Sequence, residues 1–460
     1  MKKNTLFALS IQREIVDRRV PIESEIDKCM NRLGFKSLLH QCGIRKQKGF
    51  LPISLLFALV LLPLLRQRAA GLWAQGFFNH FVSAQKDTFY RFLNCPKYNW
   101  RKFLFLLVNR ILAKWDSSSF NERVLIADDT LLPKTGKNME LVSYHHDHTT
   151  HRSQLGYQWL QLGYHNGRFF FPIDGGFHTS RKRPNRRVAT VDRRTCGWKR
   201  RQESFEKKTD LLEQMLRRAE KAGISARFLL FDSWFANDDL IAKSLRIGYA
   251  VICRLKANKT RYGYNGKMMN LKELWHHVAR HQLEKVPGWQ MRATALHLEL
   301  PKTGRVRVVF TRCSKKRWHC FLCTETDLDI AEILKYYSRR WVIEVYFKDC
   351  KQLLDLGRGQ SESFDALVAL TTIIMIRYLL LVYLLLKKHT SKSIGPIFRQ
   401  LAEEQLEAAV LSTLWERLTQ IIMLSSQLIF DDVDNEKLFQ LLEFIEMNIL
   451  QFDSAASAKL

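Results

Sequence analysis

Acidic side chains are scarce in this sequence. Its 460 residues hold 45 Asp and Glu against 73 Lys and Arg, a formal net charge of +28. Such a deficit excludes indifference to polyanions, and nucleic acid is the first partner to expect. The balance reverses only at the end of the chain. Residues 391–460 carry 5 basic and 11 acidic residues, net −6, which leaves +34 on residues 1–390. The body, not the tail, is therefore expected to meet nucleic acid.

Paired cysteines are missing as well. The nine cysteines are odd in number and scattered, which argues against a disulfide framework. Cys320-x2-Cys323, with Cys313 and His319 nearby, lacks the second paired half of a zinc site, and the His-rich stretch Tyr144–His151 fits no standard zinc spacing. A secretory signal is not expected, because the apolar run after Met1-Lys-Lys is short and broken by Arg13 and Glu14. These features predict a reduced, cytoplasmic protein. Apolar runs suited to a bilayer are lacking too. Leu51–Leu65 is too short and contains Pro52 and Pro63, and the 21-residue Ala366–Leu386 has Arg377 in its middle. Both are expected as buried core helices, with no membrane partner.

Glycine and proline are also absent from Tyr337-Ser-Arg-Arg340-Trp-Val-Ile-Glu344-Val-Tyr-Phe-Lys-Asp-Cys-Lys351, which predicts a helix. At about 100° per residue, Tyr337, Arg340, Glu344 and Lys351 share an arc of roughly 60°. One face then offers a phenol, a guanidinium, a carboxylate and an ammonium. A lone carboxylate on a basic face suits a metal ion held beside a phosphate that the cations clamp. A solvated face with i,i+4 pairs is the other reading.

Two further acids follow buried-strand patterns. Arg123-Val-Leu-Ile-Ala-Asp128-Asp129 is an apolar run ending in carboxylates, and Ala226-Arg-Phe-Leu-Leu-Phe-Asp232 repeats that form. Two such strands side by side would bring Asp232 close to Asp128 at a sheet rim. Whether Asp128 or Asp129 is the first acid stays open, and a strand-ending turn is the plain alternative. Between them, Leu155–Tyr164 and Arg168–Phe177 predict a hairpin around His165-Asn-Gly. The segment 181–208 has 12 basic and 3 acidic residues and reads as a mobile phosphate-contacting loop, followed by an amphipathic helix over 203–222. Ser83–Leu93 could be a DNA-reading helix or an ordinary amphipathic one.

The spacing Tyr-x2-Arg-x3-Glu-x6-Lys resembles the YREK signature of DDE transposases of the insertion-sequence-four type, and Tyr337, Arg340, Glu344 and Lys351 match it without a gap. The blocks around Asp128 and Asp232 resemble the first and second acidic motifs of that family. The resemblance covers roughly residues 120–390 and implies an α/β fold with an RNase H-like core, a β-rich insertion, and all-helical N- and C-terminal regions. It implies catalytic acids Asp128, Asp232 and Glu344 that bind Mg²⁺ (or Mn²⁺). Tyr337, Arg340 and Lys351 would hold DNA, with Lys134, Lys137, Arg181, Arg183 and Arg187 as further candidate contacts. Trp318 would be the insertion aromatic that stacks on a flipped base.

The implied activity is cleavage at the terminal inverted repeats of an insertion sequence and joining of the 3′-hydroxyl to target DNA. It would take place in a homodimer holding two DNA ends, in a bacterial cytoplasm or nucleoid. The expected organisation is a helical DNA-binding region over 1–118 and a core over 119–256 and 329–390. An insertion over 257–328 and an acidic helical region over 391–460, possible for dimerisation, complete it. A transposase-derived protein that only binds DNA and a metal-dependent nuclease that never joins strands are the alternatives. Binding alone would need none of the three acids.

Overall fold

A computed structural model describes residues 25–46, 48–66, 84–147, 151–180, 188–314, 317–389, 393–429 and 440. The helices α1 (Glu25–Arg32), α2 (Phe35–Gln41), α3 (Pro52–Leu61), α4 (Lys86–Leu93) and α5 (Trp100–Trp115) come first. Then follow β1 (Val124–Pro133), β2 (Ser143–Asp147), β3 (Arg152–His165), β4 (Phe170–His178), α6 (Cys196–Ser204), α7 (Lys208–Lys221), β5 (Phe228–Phe231), α8 (Asp238–Ile247) and β6 (Ala250–Leu255). The next stretch holds β7 (Arg261–Tyr264), β8 (Lys267–Asn270), α9 (Leu271–His277), β9 (Glu284–Lys285), β10 (Arg292–Leu300), β11 (Gly304–Ser314) and β12 (Arg317–Cys323). The chain continues through α10 (Ile330–Ser338), a 3₁₀ turn (Arg339–Trp341), α11 (Val342–Leu353), α12 (Phe364–Lys387) and α13 (Ile394–Ile429).

The strands form one mixed sheet in the order β2-β3-β1-β5-β6-β12-β11-β10-β7-β8, with β4 on β3 and β9 on β10. The centre is parallel: β1 pairs with β5 and β5 with β6, while β3 runs antiparallel to β1. This is a mixed α/β fold compatible with an RNase H-like core. The strands of 257–328 do not make a separate layer. β12 hydrogen-bonds antiparallel to β6, so they extend the central sheet.

Apolar side chains over Val124–Ala127 and Phe228–Phe231 are buried without alternation, as strands covered on both faces require. α12 is apolar all round and buried along nearly its whole length, which makes it the core helix. Arg377 in its middle is buried, and its Nη1 and Nη2 donate to the carbonyls of Leu354 (2.7 Å) and Leu59 (2.5 Å). A charge that would be costly in lipid thus ties three segments of the interior together.

The basic segment 181–208 departs from expectation. Its part 181–187, with Arg181, Arg183 and Arg187, lies outside the described residues, as does Ser83. Residues 188–195 are irregular, with Arg193 and Arg194 exposed, but α6 occupies 196–204 and its Arg200 and Arg201 turn inward. Arg201 is 2% exposed and bonds both Glu140 (2.7 and 2.9 Å) and Asp365 (3.0 and 2.8 Å). Buried Asp174 likewise accepts from Arg101 (2.9 Å) and Arg218 (2.6 Å). Carboxylates supplied by distant segments thus take Arg201 and Lys208 into interior ion pairs, while Arg193, Arg194, Lys199 and Lys207 stay exposed. The His-rich stretch is also partly a strand, with Ser143 and His145 buried in β2.

Candidate active site

β1 and β5 pair in parallel through Val124, Leu125 and Ile126 against Phe228, Leu229 and Leu230. Carried two residues further, the same offset sets Asp128 level with Asp232. There β5 has ended: Asp232 Oδ1 accepts the Trp234 backbone N–H at 2.9 Å and turns the chain out of the sheet. β1 continues to Pro133, paired along its whole length with β3. Asp128 therefore lies within a strand, where its parallel neighbour has run out and one edge of β1 is left open.

Alternation along β1 puts Asp128 and Thr130 on one face and Asp129 on the other. The expected helix meets the first of these faces, broken in the middle by the 3₁₀ turn. Tyr337 lies in the last turn of α10, Arg340 sits in the 3₁₀ turn, and Glu344 and Lys351 lie on α11. Arg340 Nη1 donates to Asp128 Oδ2 at 2.9 Å and its Nη2 to Glu344 Oε1 at 2.5 Å. Lys351 Nζ donates to Thr130 Oγ1 at 2.7 Å. The Tyr337 ring packs 4.8 Å from Phe321 of β12, and the Arg340 guanidinium lies 5.9 Å from that tyrosine ring. The structure thus brings the four spaced residues and both strand acids to one rim, with Arg340 bridging Asp128 and Glu344.

The electrostatics follow from crowding. Burial pushes the Asp128 carboxyl up to about 7; Arg340 opposes this, while the charges of Asp232 and Asp129 add to it. Burial also raises the Tyr337 phenol to about 12 and lowers the Lys351 ammonium. Arg340 Nε is buried without a hydrogen-bond partner, so the bridging guanidinium is only partly satisfied where it stands.

Asp129 faces an unrelated arrangement that the sequence did not suggest. Its Oδ2 accepts from Lys208 at 2.5 Å, and that ammonium sits 3.6 Å over the exposed ring of Trp234. Lys208 had counted only as one cation in a basic run. No local pattern marks it, because its partners come from two other segments.

Two other candidates take different places. Lys134 is buried, not open to a phosphate. Its Nζ donates to the carbonyls of Gly357 (2.6 Å) and Gly359 (2.5 Å), and burial lowers its pKa to about 8. It pins the segment after α11 to the end of β1. Trp318 has opposite parity to Phe321 on β12, so it lies on the sheet face away from Tyr337. There it stacks flat on Trp275, with centroids 5.0 Å apart and planes at 6°. Lys137 is exposed.

Among the described residues, no three His, Cys, Asp or Glu side chains already form a closed metal cage. The donors at the rim nonetheless suit a hard divalent cation. Asp128, Asp232 and Glu344 offer only oxygens, and the neighbouring charges of Asp232 and Asp129 crowd negative charge around Asp128 that a cation would offset.

Two family models match the chain. Residues 78–270 match the family model described as DDE superfamily endonuclease. Residues 206–380 match the transposase DDE domain. The two matches support a DDE transposase, in class a nucleic-acid-cleaving enzyme. No curated protein matches the chain.

Proposed function

We propose that this protein is the transposase of an insertion sequence. It binds the terminal inverted repeats, cleaves DNA at the element ends and joins the freed 3′-hydroxyl to target DNA. The observation that carries this reading is the register of β1 and β5, which sets Asp128 level with Asp232 just past the end of β5, with Arg340 bonded to both Asp128 and Glu344.

In this reading Asp128, Asp232 and Glu344 hold Mg²⁺ or Mn²⁺, which when bound supplies Lewis-acid activation of the attacking and leaving oxygens in phosphoryl transfer. The chain's own residues do the rest. Asp128 must be deprotonated to act as a ligand. Arg340, held between two acids, is placed to transfer its bidentate contacts to a phosphate when those acids are otherwise engaged. Lys351 and Tyr337 flank it and orient the backbone, and the buried walls of β1 and α11 limit water at the rim. Asp129, paired with Lys208 on the far face, takes no part. The DNA partner accounts for the +34 body, and a homodimer would hold the two ends.

The test is incubation of purified protein with a labelled end duplex and a supercoiled target, in Mg²⁺ or EDTA. Metal-dependent nicking at the end followed by joined product is expected. Nicking without joining would favour a nuclease, in keeping with the endonuclease family match. Binding without any nicking in Mg²⁺ or Mn²⁺ would sink the catalytic reading.

A further inference from the structure

The sheet face against which Tyr337 packs also carries two arginines with a histidine between them. Residues paired across antiparallel strands share a face, so Phe321 and its partner Arg254 on β6 lie together, with His319 and Arg317 following at alternate positions on β12. Phe321 touches Tyr337, so the line begins at the candidate active site. Trp318, Cys320 and Leu322 point the other way and feed the interior against α9.

Arg254 is exposed, and its Nη2 donates to His319 Nδ1 at 2.8 Å. A guanidinium can only donate, so the imidazole accepts on Nδ1 and carries its proton on Nε2, leaving that N–H and the other guanidinium N–H groups as donors. Arg317 is exposed as well. Neither Arg254 nor Arg317 has a carboxylate partner among the described residues, unlike Arg101, Arg201, Arg218, Arg227 and Arg340. Burial is the main cause that disfavours a second proton on His319, and the charges of Arg254 and Arg317 add to it. Like charges held together in the free protein cost stability unless an anion uses them.

We propose that Arg254, His319 and Arg317 form a phosphate-binding strip that guides one DNA backbone from the Tyr337–Arg340 end of the site outward along β12. The proposal rests on DNA being the substrate. It adds a contact surface that reads no base, since the strip offers charge and N–H donors along a pleated strand rather than a probe for a groove. Successive positions two apart along β12 span about 13 Å from Phe321 to Arg317, a path along a backbone rather than a single anion pocket.

The experiment compares full-length wild type with the double variants Arg254→Gln/Arg317→Gln and Arg254→Lys/Arg317→Lys. Binding to an end duplex and to a scrambled duplex of equal length is measured across a range of salt. The Gln pair should reduce the slope of log affinity against log salt by about 2 and weaken both duplexes alike. The Lys pair should keep most of the wild-type slope, and circular dichroism should show all three proteins folded.

A Gln pair with wild-type slope and affinity overturns the strip. Wild type that binds neither duplex overturns the strip and the DNA reading together. Wild type whose binding depends on the strip but that never nicks DNA keeps the strip and overturns only the catalytic reading.

Discussion

Replacing Glu344 by Gln separates a catalytic acid from a structural one. The Glu344 side chain is 34% exposed and pairs with Arg340 at 2.5 Å. Glutamine keeps an oxygen that can accept from Arg340 and removes the charge. A partly exposed pair of this kind contributes roughly 1 kcal/mol or less, so global stability should change by no more than that. The loss of an anionic metal ligand falls on the transition state instead. A deficit of about 4 kcal/mol there is on the order of 10³-fold in rate. The assay is single-turnover nicking of a labelled end duplex in Mg²⁺, with end affinity measured in parallel by anisotropy. Cleavage should fall by that factor or more while affinity stays within a few-fold. A Glu344→Gln protein that nicks within tenfold of wild type would remove Glu344 from the site. Parallel collapse of affinity and stability would make it a structural residue.

Other substitutions read the remaining groups. Asp128 has a folded-state pKa raised to about 7, so its charged form penalises the folded protein. That penalty is absent below the ordinary carboxylate range and grows as pH rises through about 7. In EDTA, Asp128→Asn should therefore unfold later than wild type at pH above 7, match it at pH near 4, and fail to cleave; greater instability at high pH would refute the account. Asp129→Asn leaves the nine-tenths-buried Lys208 without its carboxylate. It should cost about 3 kcal/mol in denaturant melts while sparing cleavage by the folded fraction; lost cleavage at unchanged stability would exchange the roles of the two aspartates. Arg201→Met strands Glu140 and Asp365 in the interior and should cost about 3–5 kcal/mol of unfolding free energy. A near-neutral melt would show that water reaches the pair.

Much of the candidate site was legible because its geometry is local. A helical period places Arg340, Glu344 and Lys351 on one side, and Arg340 and Lys351 bond β1 in the folded protein, with Glu344 held by Arg340, even though a 3₁₀ turn interrupts the run. The apolar runs before Asp128 and Asp232 marked buried strands, and His165-Asn-Gly marked the hairpin between β3 and β4. Arg377 within an apolar helix signalled a protein interior, since a buried guanidinium needs carbonyl partners that lipid lacks.

Only tertiary structure decided the rest. Two adjacent carboxylates look alike in sequence, but strand alternation sends Asp128 to Arg340 and Asp129 to Lys208. A basic run reads as solvated until distant acids are known; Arg201 finds Glu140 and Asp365, which lie 61 and 164 residues away. Lys134 and Trp318 seemed free for DNA, yet one is bound by Gly357 and Gly359 and the other is stacked on Trp275. Sequence fixes which groups a short element can present together, through its period. Which face is covered, and which charge meets an opposite one, depends on contacts between segments far apart in the chain, and no local pattern encodes them.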